Sequence, residues 1–100
     1  MVGSYLYITE DGVRCWYDNR DNYENESSLH RINGPATINM YSNGYHAWYF
    51  HGEFHRLDGP ARYWIEGRHK GIKEWYYQGN YIDCHTQKEF EKIIKLRVLW

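Results

Sequence analysis

The stretch GYHAWYFHGEFHRLDGPA, residues 44–61, contains two short motifs, and each recurs elsewhere in the chain. Its last seven residues, HRLDGPA at 55–61, repeat HRINGPA at 30–36 with two changes, Ile to Leu and Asn to Asp. Its opening, Gly-x-x-x-Trp-Tyr from Gly44, matches GVRCWY from Gly12 and GIKEWY from Gly71. A further glycine follows Trp48 and Trp75 at the same distance, in FHG and YQG. Self-similarity at this period marks a repeat architecture in which each unit is one supersecondary element.

Outward from this stretch, the chain reads as short aromatic and β-branched runs broken by turn residues. PATINMYS (35–42), NG, YHAWYF (45–50), HG and EFHR (53–56) follow in order, which is the chemistry of successive hairpins. The heptapeptide supplies a corner between them. Asn33-Gly34-Pro35 and Asp58-Gly59-Pro60 each join a side chain that bonds nearby backbone, a residue tolerant of positive φ, and a fixed φ without an N–H donor. Because His30-Arg31 and His55-Arg56 recur at one repeat position, a shared structural duty is favoured over catalysis, such as packing on a Trp or bonding the next corner.

The predicted fold is mainly β: a meandering antiparallel sheet of three hairpin units, about 3–33, 34–58 and 59–83, forming one domain over residues 1–100. The first unit carries an extra polar segment, DNRDNYENESS at 18–28. The third has a longer turn, EGRHKG at 66–71, and holds Ile82 and Asp83 where the His-Arg pair would fall. The end of the chain differs. TQKE at 86–89 is a capping-box pattern that opens an apolar set of Phe90, Ile93, Ile94 and Val98 at helical spacing, which predicts one amphipathic helix over about 87–99 capping the open end of the sheet.

Composition narrows the function classes. With 19% aromatic residues, 11 Tyr and 5 Trp among 100 residues, the chain is not a disordered one. A formal net charge of −1 argues against general nucleic-acid binding, which depends on neutralising phosphates. The charge is unevenly spread, with 3 basic and 6 acidic residues in 1–35 against 8 basic and 5 acidic in 62–100. No run is long enough for a membrane span and no signal-peptide pattern opens the chain, so a cytoplasmic protein is expected. Cys15 and Cys84 have no metal-ligand spacing and are expected as free thiols. No Cys-x-x-Cys, His-Glu-x-x-His, nucleophile elbow or phosphate loop is present, so neither a metal, a cofactor nor a catalytic site is expected.

The flanked stretch WYFHGEFHRLDGPA, with the helix that follows the last WYYQG, resembles the short tandem repeats of the type W-Y-x-N-G-x-x-H-R-x-D-G-P-A, MORN-like β-hairpin repeats of phages and large viruses. The resemblance spans about residues 29–95. It implies a row of hairpins and a viral or phage setting, with no settled activity. The closely spaced Gly-x-Gly of standard MORN repeats is absent, so their membrane association does not carry over.

Treating Asp11-Gly12 and Asn43-Gly44 as two-residue turns predicts a register and therefore two faces. Ile38, Met40, Ala47 and Tyr49 would share a core face, as would Leu6, Ile8, Cys15 and Tyr17 in the first unit, and Tyr63, Ile65 and Tyr76 in the third. The other face would pair Tyr7 with Trp16, Asn39 with Trp48, Tyr41 with His46, and Trp64 with Trp75 beside Arg62 and Lys73. Arg14, His46 and Lys73 would then edge a Trp strip with cations.

Two binding surfaces follow. The strip, with Tyr7, Arg14, Tyr41, His46, Arg62, Trp64 and Lys73, offers residue types common at protein interfaces. The acidic insertion, with Asp21, Glu24, Glu26 and Tyr23, would dock on a basic patch of another protein. Together with the resemblance, these point to a non-catalytic protein-binding module: a phage-encoded inhibitor or modulator of a bacterial host protein, one of a defence system. The alternative is sequestration of a nucleotide or small molecule by stacking on the same strip. Exposed edges and aromatics also leave room for a homodimer.

Overall fold

The computed structural model describes residues 4–18, 29–40 and 43–98. The fold is mainly β, an antiparallel sheet followed by one C-terminal α-helix. The strands are β1 (Tyr5–Ile8), β2 (Arg14–Tyr17), β3 (Thr37–Asn39), β4 (Tyr45–Ala47), β5 (Tyr49–Phe50), β6 (Glu53–Phe54), β7 (Arg62–Tyr63), β8 (Lys73–Tyr77) and β9 (Asn80–Ile82), and the helix is α1 (Gln87–Val98). Seven strands form the main sheet in the order β1-β2-β3-β4-β7-β8-β9, and β5-β6 is a separate ribbon. The result is a slab of 41 × 36 × 18 Å.

The motif Gly-x-x-x-Trp-Tyr changes partner at its Trp. Ahead of Trp48, β4 pairs with β3 and β7; after it, β5 pairs with β6. Likewise Lys73 and Glu74 pair with β7, while Trp75 to Tyr77 pair with β9. In β2, Arg14 and Cys15 pair with β3 and Tyr17 bridges to Leu29. The heptapeptide fills the fork so created. Trp16 N–H donates to Ala36 O at 2.8 Å and Trp48 N–H to Ala61 O at 2.7 Å, while His30 and His55 N–H donate back to the Trp16 and Trp48 carbonyls at 2.9 and 3.0 Å. The two corners therefore satisfy the same backbone groups. Their closing residues, Ala36 and Ala61, have no exposed surface.

The x-Gly turns are two-residue hairpin loops. His51-Gly52 joins β5 to β6 and Gln78-Gly79 joins β8 to β9, with φ of 48° and 83° in the first and 48° and 81° in the second, the pair of positive values that a type I′ turn demands.

The turns at Asp11-Gly12 and Asn43-Gly44 are not of this kind, and the expected registers are corrected accordingly. In the first hairpin Tyr7 lies opposite Cys15 and Leu6 opposite Trp16, one residue out from the expected pairing. The loop has three residues, because Gly12 alone takes a positive φ (84°) and Thr9 closes it twice, donating its N–H to Val13 O at 2.9 Å and accepting the Val13 N–H on its hydroxyl at 3.0 Å. In the second, Asn39 pairs with Tyr45 and Ile38 with His46, three residues out. Here Asn43 keeps a negative φ and caps the incoming strand through its side chain, which accepts the Tyr45 N–H at 3.0 Å. The third follows the second, with Arg62 opposite Glu74 and Tyr63 opposite Lys73.

An odd slip exchanges the faces of a strand. The expected core faces are therefore not formed: Met40, Leu6, Ile8 and Ile65 are exposed, and Ile38 lies opposite His46 rather than beside Ala47. The core lies in two clusters. One contains Cys15, Tyr17, Leu29 and Ala36, with Val13 and Tyr49 against it. The other joins Trp75, Ile82 and Cys84 to Phe90 of α1, with Tyr77, Ile93 and Ile94 around them. Both cysteines are buried and unpaired, one in each cluster, and burial raises both thiol pKa values.

The helix begins where the capping pattern places it. Thr86 accepts the Glu89 N–H on its hydroxyl at 3.2 Å, and Phe90 N–H reaches Thr86 O at 3.1 Å. The side chains of residues 98–100 lie outside the described residues, so Val98 is not placed in the helix's apolar set.

Candidate functional site

Three basic residues from three different units share one cross-strand row. The register runs Ile8–Arg14–Ile38–His46–Tyr63–Lys73 through β1, β2, β3, β4, β7 and β8, so all six side chains project from one face at about 4.8 Å spacing. Arg14, Lys73 and Ile8 are exposed, and the others are half-buried. His46 lies flat on Tyr63, with ring centres 5.0 Å apart and an 8° interplanar angle. No carboxylate occurs in the row.

The neighbouring row on this face holds the tryptophans, and each is covered. Arg31 lies over Trp16 with its guanidinium carbon 3.9 Å from the ring centre, and Arg56 lies over Trp48 at 3.7 Å. Each arginine also donates to the carbonyl of the proline in its own corner, Arg31 to Pro35 and Arg56 to Pro60, both at 3.2 Å. Gly34 and Gly59 permit the approach: a Cβ at either position would stand 3.0 and 2.7 Å from the guanidinium carbon. Where the third unit lacks the pair, α1 takes its place. Trp75 is buried against Phe90 and donates its indole N–H to Gln87 Oε1 at 2.7 Å.

The histidines of the corners latch the x-Gly turns. His30 accepts the His51 N–H on Nδ1 at 3.1 Å, and His55 accepts the Gln78 N–H in the same way at 3.0 Å. His30 is 2% exposed and stacks on His51 at 4.1 Å, whose own ring meets Asp18 at 3.0 Å. Burial lowers the pKa of both His30 and His55; His51 adds to this for His30, while Asp18 and Glu53 oppose it at His30 and His55 respectively.

Between the two corners runs an open groove of about 540 Å³, lined by residues of both, Arg31, Ile32, Arg56 and Leu57 among them, and by Trp48 and Phe50. It shares Phe50 and His55 with a second recess of about 470 Å³ that reaches the Gln78 turn.

The expected site residues divide. Arg14, His46 and Lys73 come together as predicted. Tyr7, Arg62 and Trp64 lie on the opposite face and are corrected: Tyr7 stands across from Cys15, Arg62 from Glu74, and Trp64 packs at a tilt of 35° against Tyr45 with ring centres 5.0 Å apart. There Arg62 is internally satisfied, bonded to Glu74 and flanked by Phe54, Trp64 and Tyr76. Burial alone would lower its pKa, but the bonds to Glu74 and Tyr45 raise it. Asp21, Tyr23, Glu24, Glu26 and Tyr41 lie outside the described residues.

Sequence reasoning passed over Arg31, Arg56, Ile38 and Tyr63 as parts of the face. The signal for the arginines was the heptapeptide itself, which repeats His-Arg at 30–31 and 55–56. Among the described residues, no three His, Cys, Asp or Glu side chains converge as metal ligands, and no helix is long and apolar enough to cross a membrane. Comparison with known proteins finds no matching family model, curated protein or solved structure.

Proposed function

We propose that this protein is a non-catalytic protein-binding module that presents the Arg14–His46–Lys73 face to an acidic surface of its partner. The observation that carries this reading is the cross-strand row, in which Arg14, His46 and Lys73 alternate with Ile38 and Tyr63 on one face. Alternation of charge with apolar contact suits a protein surface, where apolar groups supply affinity and charges supply orientation and on-rate. Arg31, pinned over Trp16, extends the same sign without the entropy cost of a freely moving side chain, whereas the charge of Arg56 is met by Asp58. The recesses beside the row are open grooves rather than enclosed pockets, which favours a macromolecule over a small ligand. The resemblance to phage repeat proteins makes a bacterial host protein, met in the bacterial cytoplasm and inhibited or modulated there, the partner to seek.

The test is a purified complex with the captured partner, compared with the Arg14→Glu/Lys73→Glu variant at two ionic strengths. Both residues are exposed, and thermal melting of the variant checks that folding is retained. Binding falls at least about tenfold in the variant, and the wild-type affinity weakens as salt screens the pair of surfaces. Unchanged affinity and no salt dependence would overturn the reading, and a bound nucleotide in place of a protein would support sequestration instead.

A further inference from the structure

The two corners are near copies, but they differ in one charge. In the second, Asp58 accepts the Arg56 Nε–H at 2.9 Å, and this bond, ahead of the Arg56 charge itself, lowers the Asp58 pKa. In the first, the equivalent residue is Asn33. Arg31 keeps its seat over Trp16 and its bond to Pro35 O, yet it has no carboxylate partner among the described residues. A guanidinium held by stacking and by one Nη1 bond still has donors in a fixed fork, the geometry that selects a carboxylate.

What surrounds that fork is apolar. Arg31 lines the groove between the corners together with Ile32, 65% exposed, from the first corner, Leu57, 55% exposed, from the second, and Phe50, 48% exposed. Ile32 and Leu57 occupy the same position of the heptapeptide, so the repeat sets one aliphatic side chain on each side of the groove. One strand, β4, lies between β3 and β7, which leave the two corners, so two strand spacings, about 9.6 Å, separate their backbones, less than the roughly 10–12 Å of a helix with its side chains.

We propose that this groove binds an extended segment of a partner protein in which an acidic side chain stands beside an aliphatic one. The carboxylate meets the Arg31 Nε and Nη2 donors, and the aliphatic side chain settles on Phe50 between Ile32 and Leu57. Charge complementarity selects this occupant: among the described residues the groove offers one unneutralised guanidinium, Arg31, and one lining carboxylate, Asp58, which is already bonded to Arg56. The assignment rests on the protein-binding reading above and names the chemistry the partner brings.

Because each corner already exists in the other's form, the swaps Asn33→Asp and Asp58→Asn are mild tests, and thermal melting of both confirms that the fold is kept. The probe is a blocked pentapeptide, Leu-Leu-Glu-Leu-Leu, with its Gln counterpart as control, titrated into the ¹⁵N-labelled protein. The Glu peptide is expected to shift the Arg31 Nε–H and Gly34 signals and to bind at least about fivefold tighter than the Gln peptide. Asn33→Asp reduces this binding at least fivefold by neutralising Arg31 from within, and Asp58→Asn preserves or strengthens it. Equal binding to wild type and Asn33→Asp, equal binding of the Glu and Gln peptides, or shifts confined to other faces would overturn the proposal. If the peptide fails while Arg14→Glu/Lys73→Glu still abolishes partner binding, the groove assignment falls and the module reading stands. If Arg31-dependent peptide binding survives while the charge reversal has no effect, the groove stands and the Arg14–Lys73 face falls.

Discussion

The Arg56 guanidinium is clamped between the Trp48 ring, 3.7 Å below it, and Gly59, whose missing side chain leaves the space it fills. Arg31 repeats the arrangement with Trp16 and Gly34. Arginine is required because its plane stacks on an indole while its edge bonds Pro60 O and Asp58, which a lysine ammonium cannot do together. Arg56→Lys is therefore expected to cost about 1–2 kcal/mol, within the range for a partly desolvated stack with lost charge-assisted bonds. Gly59→Ala costs a similar amount by pushing the guanidinium off the ring. Since both break one contact, the double variant costs clearly less than the sum. Urea unfolding of the three variants checks this, and strict additivity would mean that the stack is not what Gly59 protects.

Acid acts on the two latches. His30 and His55 must be neutral to accept the His51 and Gln78 N–H groups on Nδ1, and burial lowers the pKa of both. The unfolded chain, with histidine near 6.5, binds the proton more readily than the folded one. The stabilisation from these bonds is thus complete above about pH 6.5 and is lost as pH falls through the lowered folded values, by at most about 1.4 kcal/mol per pH unit for each histidine. Thermal midpoints between pH 8 and 4.5 are expected to hold level and then drop below 6.5. A His30→Gln/His55→Gln variant has a lower midpoint at pH 8 and a shallower fall; an equal fall in both proteins would assign the acid sensitivity elsewhere.

Gln78 holds a φ of 48° without a glycine's freedom, a strained setting for a long side chain. Its backbone N–H, not its side chain, serves His55. Gln78→Asn places Asn-Gly, the preferred type I′ pair, in a turn already of that type. A gain of about 0.5–1 kcal/mol is expected, seen as a rise of a few degrees in Tm. A loss of stability would show that the Gln78 side chain contributes something beyond its backbone.

How far the sequence could be read depended on which strand of each hairpin a residue occupies. Arg14, His46 and Lys73 precede Trp16, Trp48 and Trp75 by two residues, so their shared face follows from the repeat and survives any error in hairpin register. Tyr7, Arg62 and Trp64 sit on the opposing strands, and their face depends on loop length. The dipeptides at 11–12 and 43–44 look like tight turns, but Thr9 and Asn43 bond the backbone themselves and open both loops. A slip of one residue in the first hairpin moved Tyr7 to the far face, and a slip of three in the third hairpin moved Arg62 and Trp64. The helix was legible because its signal is local, Thr86 capping its own first turn; the corners fall where the heptapeptide places them, but Gly34 and Gly59 do not take the expected positive φ and instead make room for the stacked guanidinium. Packing on a Trp was among the duties expected of the repeated His-Arg pair, and the arginines perform it; which Trp each covers was not legible, because only the fork at each Trp brings the two together.

The account holds that HRINGPA and HRLDGPA are one structural device used twice, leaving the exposed cationic face free for binding. The most direct test is the ¹⁵N NMR signature of the two histidine rings near pH 7.5. Both are expected as the Nε2–H tautomer, each with a bare Nδ1 showing a through-hydrogen-bond coupling to the backbone nitrogen of His51 or Gln78. A protonated Nδ1 at either ring, or different tautomers at His30 and His55, would contradict the claim that the two copies do the same work.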